Sequence, residues 1–364
     1  MEPSSQRIII ACGGTGGHMF PGIAVAQQLK ALGHKPLLLI SLKDVDAEGS
    51  RKYGQDLEFR TVQAIAKPRT FSLRMIGFLW KFTRTLISCL RLIHREKATI
   101  ILGMGGFTSL APVLAGRLCG RRTYVHESNA IPGRANRLTA RFCTAVLLGM
   151  PEAASRFPKS HCLTVGTPVR EELLHAPSRP EARATLHLPA DTPLILITGG
   201  SQGAQKLNTL MVDAAKIIPH VHFLIIAGKQ DCDRVQKLAA DTPNITVLGF
   251  CSDMPAAYAA ADAVIARAGA STLTELSILA KACLLVPYPF AADNHQFYNA
   301  QALAGIGAAS LCEQSDLTLT RIREFIDQIA LSSEARNAMQ TAMHAQAHPD
   351  AAQRIAHTIT SPLN

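Results

Sequence analysis

One pattern constrains this chain above all others: it is written twice. The apolar run Ile8–Ala11 leads into Gly13-Gly-Thr-Gly-Gly17-His18, and about 186 residues later Leu194–Thr198 leads into Gly199-Gly-Ser-Gln-Gly203-Ala204. A strand that ends in glycines and opens a helix begins a Rossmann-like unit, and its recurrence marks two such units. Further runs follow each one: Leu37–Ile40, Thr99–Leu102, Thr123–His126, Ala145–Leu148 and Cys162–Val165, then His222–Ala227, Ile245–Leu248, Ala263–Ile265, Cys283–Val286 and Ala308–Leu311. Continuous Val/Ile/Leu runs suit a parallel sheet covered on both faces. Helical periodicity fills gaps such as Gly22–Leu32, Gln205–Ile218 and Gln296–Leu303, so the fold class is α/β.

With 364 residues the chain has room for two domains. The junction falls near Val165-Gly-Thr-Pro-Val-Arg170, ahead of the Pro- and charge-rich stretch Ala176–Glu181. The expected division is 1–165, 166–345 and a last segment, 346–364, that carries a short helix, Ala351–Ile359. Residues 1–170 hold 24 Lys/Arg against 9 Asp/Glu, whereas residues 171–364 hold 13 against 18. All of the excess positive charge is therefore in the first half, which points to an anionic partner there: nucleic acid, a phosphorylated ligand or an anionic membrane.

The nine cysteines include no C-x-x-C pair, so neither a zinc site nor a disulfide framework is indicated, and a reducing compartment fits. Met1 to Cys12 lacks the apolar core of a signal peptide. Ala98–Gly116 is uncharged and near the length of a membrane span, but its four glycines and Pro112 read as strand, glycine loop and helix instead.

Glycines at a strand–helix junction let a ligand approach the backbone, and the helix N-terminus offers free N–H groups to a phosphate. Ser201 adds a hydroxyl, and Gly105-Gly106 forms a third loop of this kind. The dinucleotide spacing G-x-G-x-x-G fails at Met19, and no G-K-[ST] ends either loop. Phosphate-bearing ligands of another sort are favoured over nicotinamide cofactors or a P-loop.

Four polar constellations stand at strand ends. Arg267-Ala-Gly-Ala-Ser-Thr-Leu-Thr-Glu275 places a carboxylate one turn into a helix, where it suits a ribose diol or forms a capping box with Ser271 or Thr272. Asp293-Asn-His-Gln296 suits sugar hydroxyls or caps a helix through Asp293. His126-Glu-Ser-Asn129 lies at a strand's carboxyl end, where open sheets bind ligands. His18 ends the first loop, placed as a general base or as a packing group.

Phe71 to Arg95 reads as one amphipathic helix. Met75, Ile76, Leu79, Phe82, Leu86, Leu90 and Ile93 share a face, with Arg74, Lys81, Arg84 and Arg95 opposite and Trp80 flanking the cations. That composition fits a membrane-interface surface, or else a buried helix with a solvated basic side.

Laid out together, these residues resemble the MurG family of GT-B glycosyltransferases, which transfer N-acetylglucosamine from UDP-GlcNAc to lipid I. The resemblance rests on Gly13-Gly-Thr-Gly-Gly-His-x-Phe-Pro-Gly22, Gly103-Met-Gly-Gly-Phe107, His126–Asn129, Val165–Arg170, Gly199–Ala204, Phe250-Cys-Ser-Asp-Met254, Arg267–Glu275 and Asp293–Gln296, in this order over nearly the whole chain. It implies two Rossmann-like domains facing across a cleft, with acceptor and membrane on the first and donor on the second. It also implies that the last helix returns to the first domain, and that the reaction is inverting and uses no metal and no cofactor. By resemblance, Thr15, Gly16, Gly17, Asn129, Arg170, Ser201, Cys251, Ala270, Ser271, Thr272, Leu273, Thr274, Glu275 and Gln296 bind UDP-GlcNAc. Within that set, Glu275 holds the ribose, Arg170 and Ser201 the diphosphate, and Cys251 the uracil through its backbone. His18 is the candidate base on the acceptor 4-hydroxyl. Arg74, Trp80, Lys81 and Arg84 map to the membrane-docking patch. The implied partners are UDP-GlcNAc, lipid I and an anionic membrane, with no nucleic acid, and the implied location is the cytoplasmic face of the membrane. Ser128 and Thr167 depart from the family's usual Gln and Asn.

Two alternatives remain at this level. One is another GT-B enzyme, a glycolipid synthase or a UDP-GlcNAc 2-epimerase. The other is a basic membrane- or nucleic-acid-binding protein on a vestigial nucleotide fold.

Overall fold

The structure is a computed structural model that describes residues 5–14, 16–41, 51, 53–62, 74–200 and 203–362. The chain divides into two compact units: Met1–Arg170 with His348–Asn364, and Glu171–Ala347.

The first unit is built on seven parallel strands: β1 (Arg7–Ala11), β2 (Lys35–Ile40), β3 (Glu58–Thr61), β4 (Ile100–Gly103), β5 (Arg122–Glu127), β6 (Ala145–Leu148) and β7 (Cys162–Thr164). Their order is β3-β2-β1-β4-β5-β6-β7. Alternation along β1 shows why its run is apolar throughout. Ile8 and Ile10 pack on one face with Met19, Ile23, Ile355 and Ile359, while Ile9 packs on the other with Cys89, Ile93 and Val113. Each residue of a doubly covered strand has a core to fill. Helix Ala351–Thr360 lies in the first of these cores, against helix Gly16–Ala31.

The second unit repeats the plan with six parallel strands: β8 (Leu194–Thr198), β9 (His222–Ile226), β10 (Ile245–Leu248), β11 (Ala263–Ala266), β12 (Cys283–Leu285) and β13 (Ser310–Leu311). The order is β10-β9-β8-β11-β12-β13. Ile195, Ile197, Phe223 and Ile225 fill a core with Met211, Val212, Ile322 and Phe325.

In both sheets the direction of strand addition reverses beside the first strand of the unit. The crevice at such a reversal lies outside the carboxyl ends, between β1 and β4 in one unit and between β8 and β11 in the other. The glycine loops occupy these two places.

Two features depart from the sequence reading. The edge strand β3 was not anticipated, because Glu58-Phe59-Arg60-Thr61 is polar and largely exposed. Helix Arg74–Arg95 buries Thr85, Cys89 and Ile93, but leaves Ile76 and Leu79 exposed on the same apolar stripe. Residues 98–116 form β4, a glycine turn and helix Phe107–Leu118, and among the described residues no helix is long and apolar enough to cross a membrane.

Candidate active site

In the first unit, helix Gly16–Ala31 starts directly after the first glycine loop, with Gly16 and Gly17 in its opening turn. Thr15 lies outside the described residues. His18 is half-buried, its ring laid along the backbone of the loop that follows β4. A Cβ added at Gly105 would stand 3.0 Å from His18 Nε2, and one at Gly106 would stand 3.2 Å from His18 Cε1. Both glycines also have positive φ, 112° and 73°, so a side chain at either would be strained by the backbone turn and crowded by the imidazole. Thr108 Oγ1 donates to Gly13 O at 2.6 Å and joins the two loops.

At the end of β5, His126 is 1% exposed. Its Nε2–H donates to Gly166 O at 2.9 Å, and Nδ1 then accepts from the Ser128 hydroxyl at 3.3 Å. Burial, with a smaller repulsion from His18, pushes its pKa down to about 4, so the ring is neutral and serves to position its neighbours. Ser128 thus has a defined partner, and Thr167 is buried against Gly149.

Glu127 is the residue that sequence reasoning missed. It is buried, and its carboxylate accepts four hydrogen bonds: Asn129 N and Nδ2 on Oε1, and Gly133 N and Asn136 Nδ2 on Oε2, all between 2.9 and 3.0 Å. A buried carboxylate is tolerable only with such a set of donors. Asn136 Nδ2 also donates to His126 O, and Asn136 borders Gly105, so one network reaches from Asn129 to the loop after β4 on which His18 rests. Asn136 Oδ1 is buried with no partner among the described residues.

Arg170 ends the first unit. Its guanidinium lies over the Phe20 ring, 4.9 Å from the centroid.

In the second unit, Ser201 lies outside the described residues. Helix Gln205–Ile217 follows the glycine loop, with Ala204 at the N-cap. Helix Ala270–Ile278 opens after Gly269, so Ala270, Ser271, Thr272, Leu273, Thr274 and Glu275 are its first six residues. The N-cap is the glycine, which removes the capping-box reading of Ser271 or Thr272. Instead, the buried Tyr258 hydroxyl donates to Glu275 Oε2 at 2.9 Å and fixes the carboxylate.

Arg267 is buried and binds Val286 O and Pro287 O, each at 3.0 Å, and Gln314 Oε1, with Tyr288 packed on its guanidinium. It anchors the loop leading to Gln296, whose Oε1 accepts from Tyr288 N at 2.9 Å. Asp293 and Asn294 have φ of 50° and 52°, and Asn294, not Asp293, takes the N-cap position of helix His295–Ala304. Cys251 is buried with its thiol turned back to Asp253 O, and burial raises its pKa.

On helix Arg74–Arg95, Trp80 is 63% exposed and Arg84 lies over its ring at 5.6 Å, with Lys81 exposed beside them. The Arg74 side chain lies outside the described residues. Among the described residues no group of three or more His, Cys, Asp or Glu is placed to hold a metal ion.

Residues 8–148 match the glycosyltransferase family 28 N-terminal domain, and residues 194–355 match the glycosyltransferase family 28 C-terminal domain. The chain is 35% identical to the UDP-N-acetylglucosamine–N-acetylmuramyl-(pentapeptide) pyrophosphoryl-undecaprenol N-acetylglucosamine transferase of Desulfotalea psychrophila, over 100% of this chain and 98% of the relative. It is 33% identical to the transferase of that name from Myxococcus xanthus, over 96% and 91%. A crystal structure of MurG from Acinetobacter baumannii superposes with a TM-score of 0.78 at 31% identity, covering 97% of this chain and 99% of that one. The chain belongs to the MurG family. The two units are accordingly the N- and C-terminal halves of a MurG-family GT-B fold. A UDP-GlcNAc 2-epimerase from Neisseria meningitidis has a TM-score of 0.69 at 14% identity, a likeness of fold alone.

Proposed function

We infer that this chain is the glycosyltransferase that moves N-acetylglucosamine from UDP-GlcNAc to the muramyl sugar of lipid I, giving lipid II. The observation that carries this is family membership over the full chain at 35% identity. The site geometry supports it, with a loop and helix start at the sheet reversal of each unit.

The acceptor 4-hydroxyl attacks the donor's anomeric carbon, the bond to the UDP oxygen breaks and the configuration inverts. His18 takes the hydroxyl proton as general base. The negative charge that grows on the leaving diphosphate is met by Arg170, Ser201 and the helix N-termini, which supply positive charge in fixed positions. Glu275 accepts the ribose hydroxyls, and its bond from Tyr258 keeps the carboxylate aimed. The backbone at Cys251 reads uracil, while Thr15–Gly17, Asn129, Ala270–Thr274 and Gln296 complete the donor contacts. Trp80, Lys81, Arg84 and Arg74 dock the chain on the anionic cytoplasmic face of the membrane, where lipid I is held. Through lipid II the reaction feeds peptidoglycan, and with it cell shape and division.

The test is UDP release from UDP-GlcNAc with a lipid I analogue. Turnover that depends on the acceptor is expected. Sugar conversion without acceptor would mean an epimerase, and donor binding without turnover would mean a binding protein.

A further inference from the structure

The Arg170 guanidinium lies over the ring of Phe20, the fifth residue of helix Gly16–Ala31, 4.9 Å from its centroid. Among the described residues no hydrogen bond or ion pair engages this guanidinium. The backbone leading to it is fixed: Val165 N and Gly166 N both donate to Leu148 O, and Gly166 O accepts from His126. Thr167 and Pro168 are buried. Phe20 is itself partly buried against the core of its unit, so its ring is a firm platform.

We propose that Phe20 is a positioning residue that presents Arg170 to a pyrophosphate. A guanidinium seated over a ring spends no N–H on a protein acceptor, so its five donors stay available to phosphate oxygens. The ring holds the cation without neutralising it, as a carboxylate would. This proposal rests on the transferase reading and adds a residue to it.

A double-mutant cycle tests it, with UDP and inorganic pyrophosphate as probes in calorimetry and with KM measured for donor and acceptor. Phe20→Leu keeps the apolar volume but removes the π face. It is expected to weaken UDP about 2- to 5-fold, in line with an exposed cation–π contact. In an Arg170→Ala background the same change is expected to shift UDP affinity less than about 1.5-fold. Phe20→Tyr keeps the face and is expected to stay within about two-fold of wild type, which holds the test open if the leucine variant fails to fold. Coupling seen in the acceptor KM and not with UDP assigns the lipid's pyrophosphate as the one served. Additive effects of Phe20→Leu and Arg170→Ala, or loss of affinity in Phe20→Tyr equal to that in Phe20→Leu with unchanged melting, overturn the proposal. Failure of the transferase reading would show separately, as a wild-type chain that releases no UDP from UDP-GlcNAc while the coupling on pyrophosphate persists.

Discussion

His126 Nε2 lies 2.9 Å from the carbonyl oxygen of Gly166, so a side chain at the end of β5 grips the segment that runs to Arg170. The ring that makes this grip is neutral because burial penalises the imidazolium, with a smaller repulsion from His18, and the bond to Gly166 only partly offsets that cost.

A pH dependence follows. The unfolded chain binds a proton at His126 below about 6.5, while the folded chain resists it down to about 4. Between these values the unfolded state holds more protons, so this contribution to stability is fully present above pH 6.5 and is lost as pH falls towards 4, with a slope approaching about 1.4 kcal/mol per unit. Urea unfolding at pH 7, 6 and 5 measures it, and His126→Gln is expected to flatten the slope.

Glu275→Ala is expected to raise the UDP-GlcNAc KM by about ten-fold or more, through loss of charge-assisted bonds to the ribose. Tyr258→Phe removes the hydroxyl that donates to the carboxylate and is expected to raise it about two- to five-fold. Initial rates at saturating acceptor give both values. An unchanged KM in Glu275→Ala would withdraw the ribose role.

The contact between His18 and Gly105 predicts a severe effect from a single methyl group. Gly105→Ala is expected to lower kcat about 100-fold by displacing the imidazole. The left-handed φ also costs about 1–2 kcal/mol of stability. Gly133→Ala is the control, since nothing lies within 4 Å of a Cβ there. His18→Ala is expected to reduce kcat by about 100-fold or more with donor affinity little changed. Rapid-quench single turnovers distinguish loss of chemistry from loss of binding.

Glu127→Gln keeps the shape but replaces an acceptor oxygen by an N–H₂ that faces donors. The change is expected to cost about 1–3 kcal/mol and to lower kcat/KM together with the melting temperature. Differential scanning calorimetry alongside kinetics checks the pairing of the two effects.

Reversing Lys81 and Arg84 to Glu together is expected to reduce binding to anionic vesicles more than ten-fold, at about 1 kcal/mol per charge. Trp80→Ala is expected to weaken binding to anionic and neutral vesicles alike. Co-sedimentation reads both, and undiminished binding would leave the exposed stripe without a membrane role.

Much of the fold was legible because burial on both faces makes a strand's residues apolar without alternation, as in Ile8–Ile10 and Ile195–Ile197. Glu58–Thr61 escaped for the converse reason, since an exposed edge strand has no core to fill. The periodicity of Ile76, Leu79, Leu86 and Ile93 says which residues share a face, but not that half of that face is left uncovered. Glycine loops could be read because few residues can replace glycine there. Glu127 could not be read as the organiser of its loop, because its role depends on where the fold brings Gly133 and Asn136. Phe20 likewise stood in the first glycine motif without a role of its own until the chain, 150 positions later, returned Arg170 to its ring.

Helix Ala351–Thr360 places Ile355 and Ile359 in the same core as Ile8 and Met19, and each fully buried isoleucine contributes about 2 kcal/mol. During synthesis, the seven-stranded unit therefore waits, with one flank open, while the six-stranded unit is made and folds. A fragment ending at residue 170 would carry that open flank permanently, which makes it a poor choice for isolated expression and a ready client for chaperones.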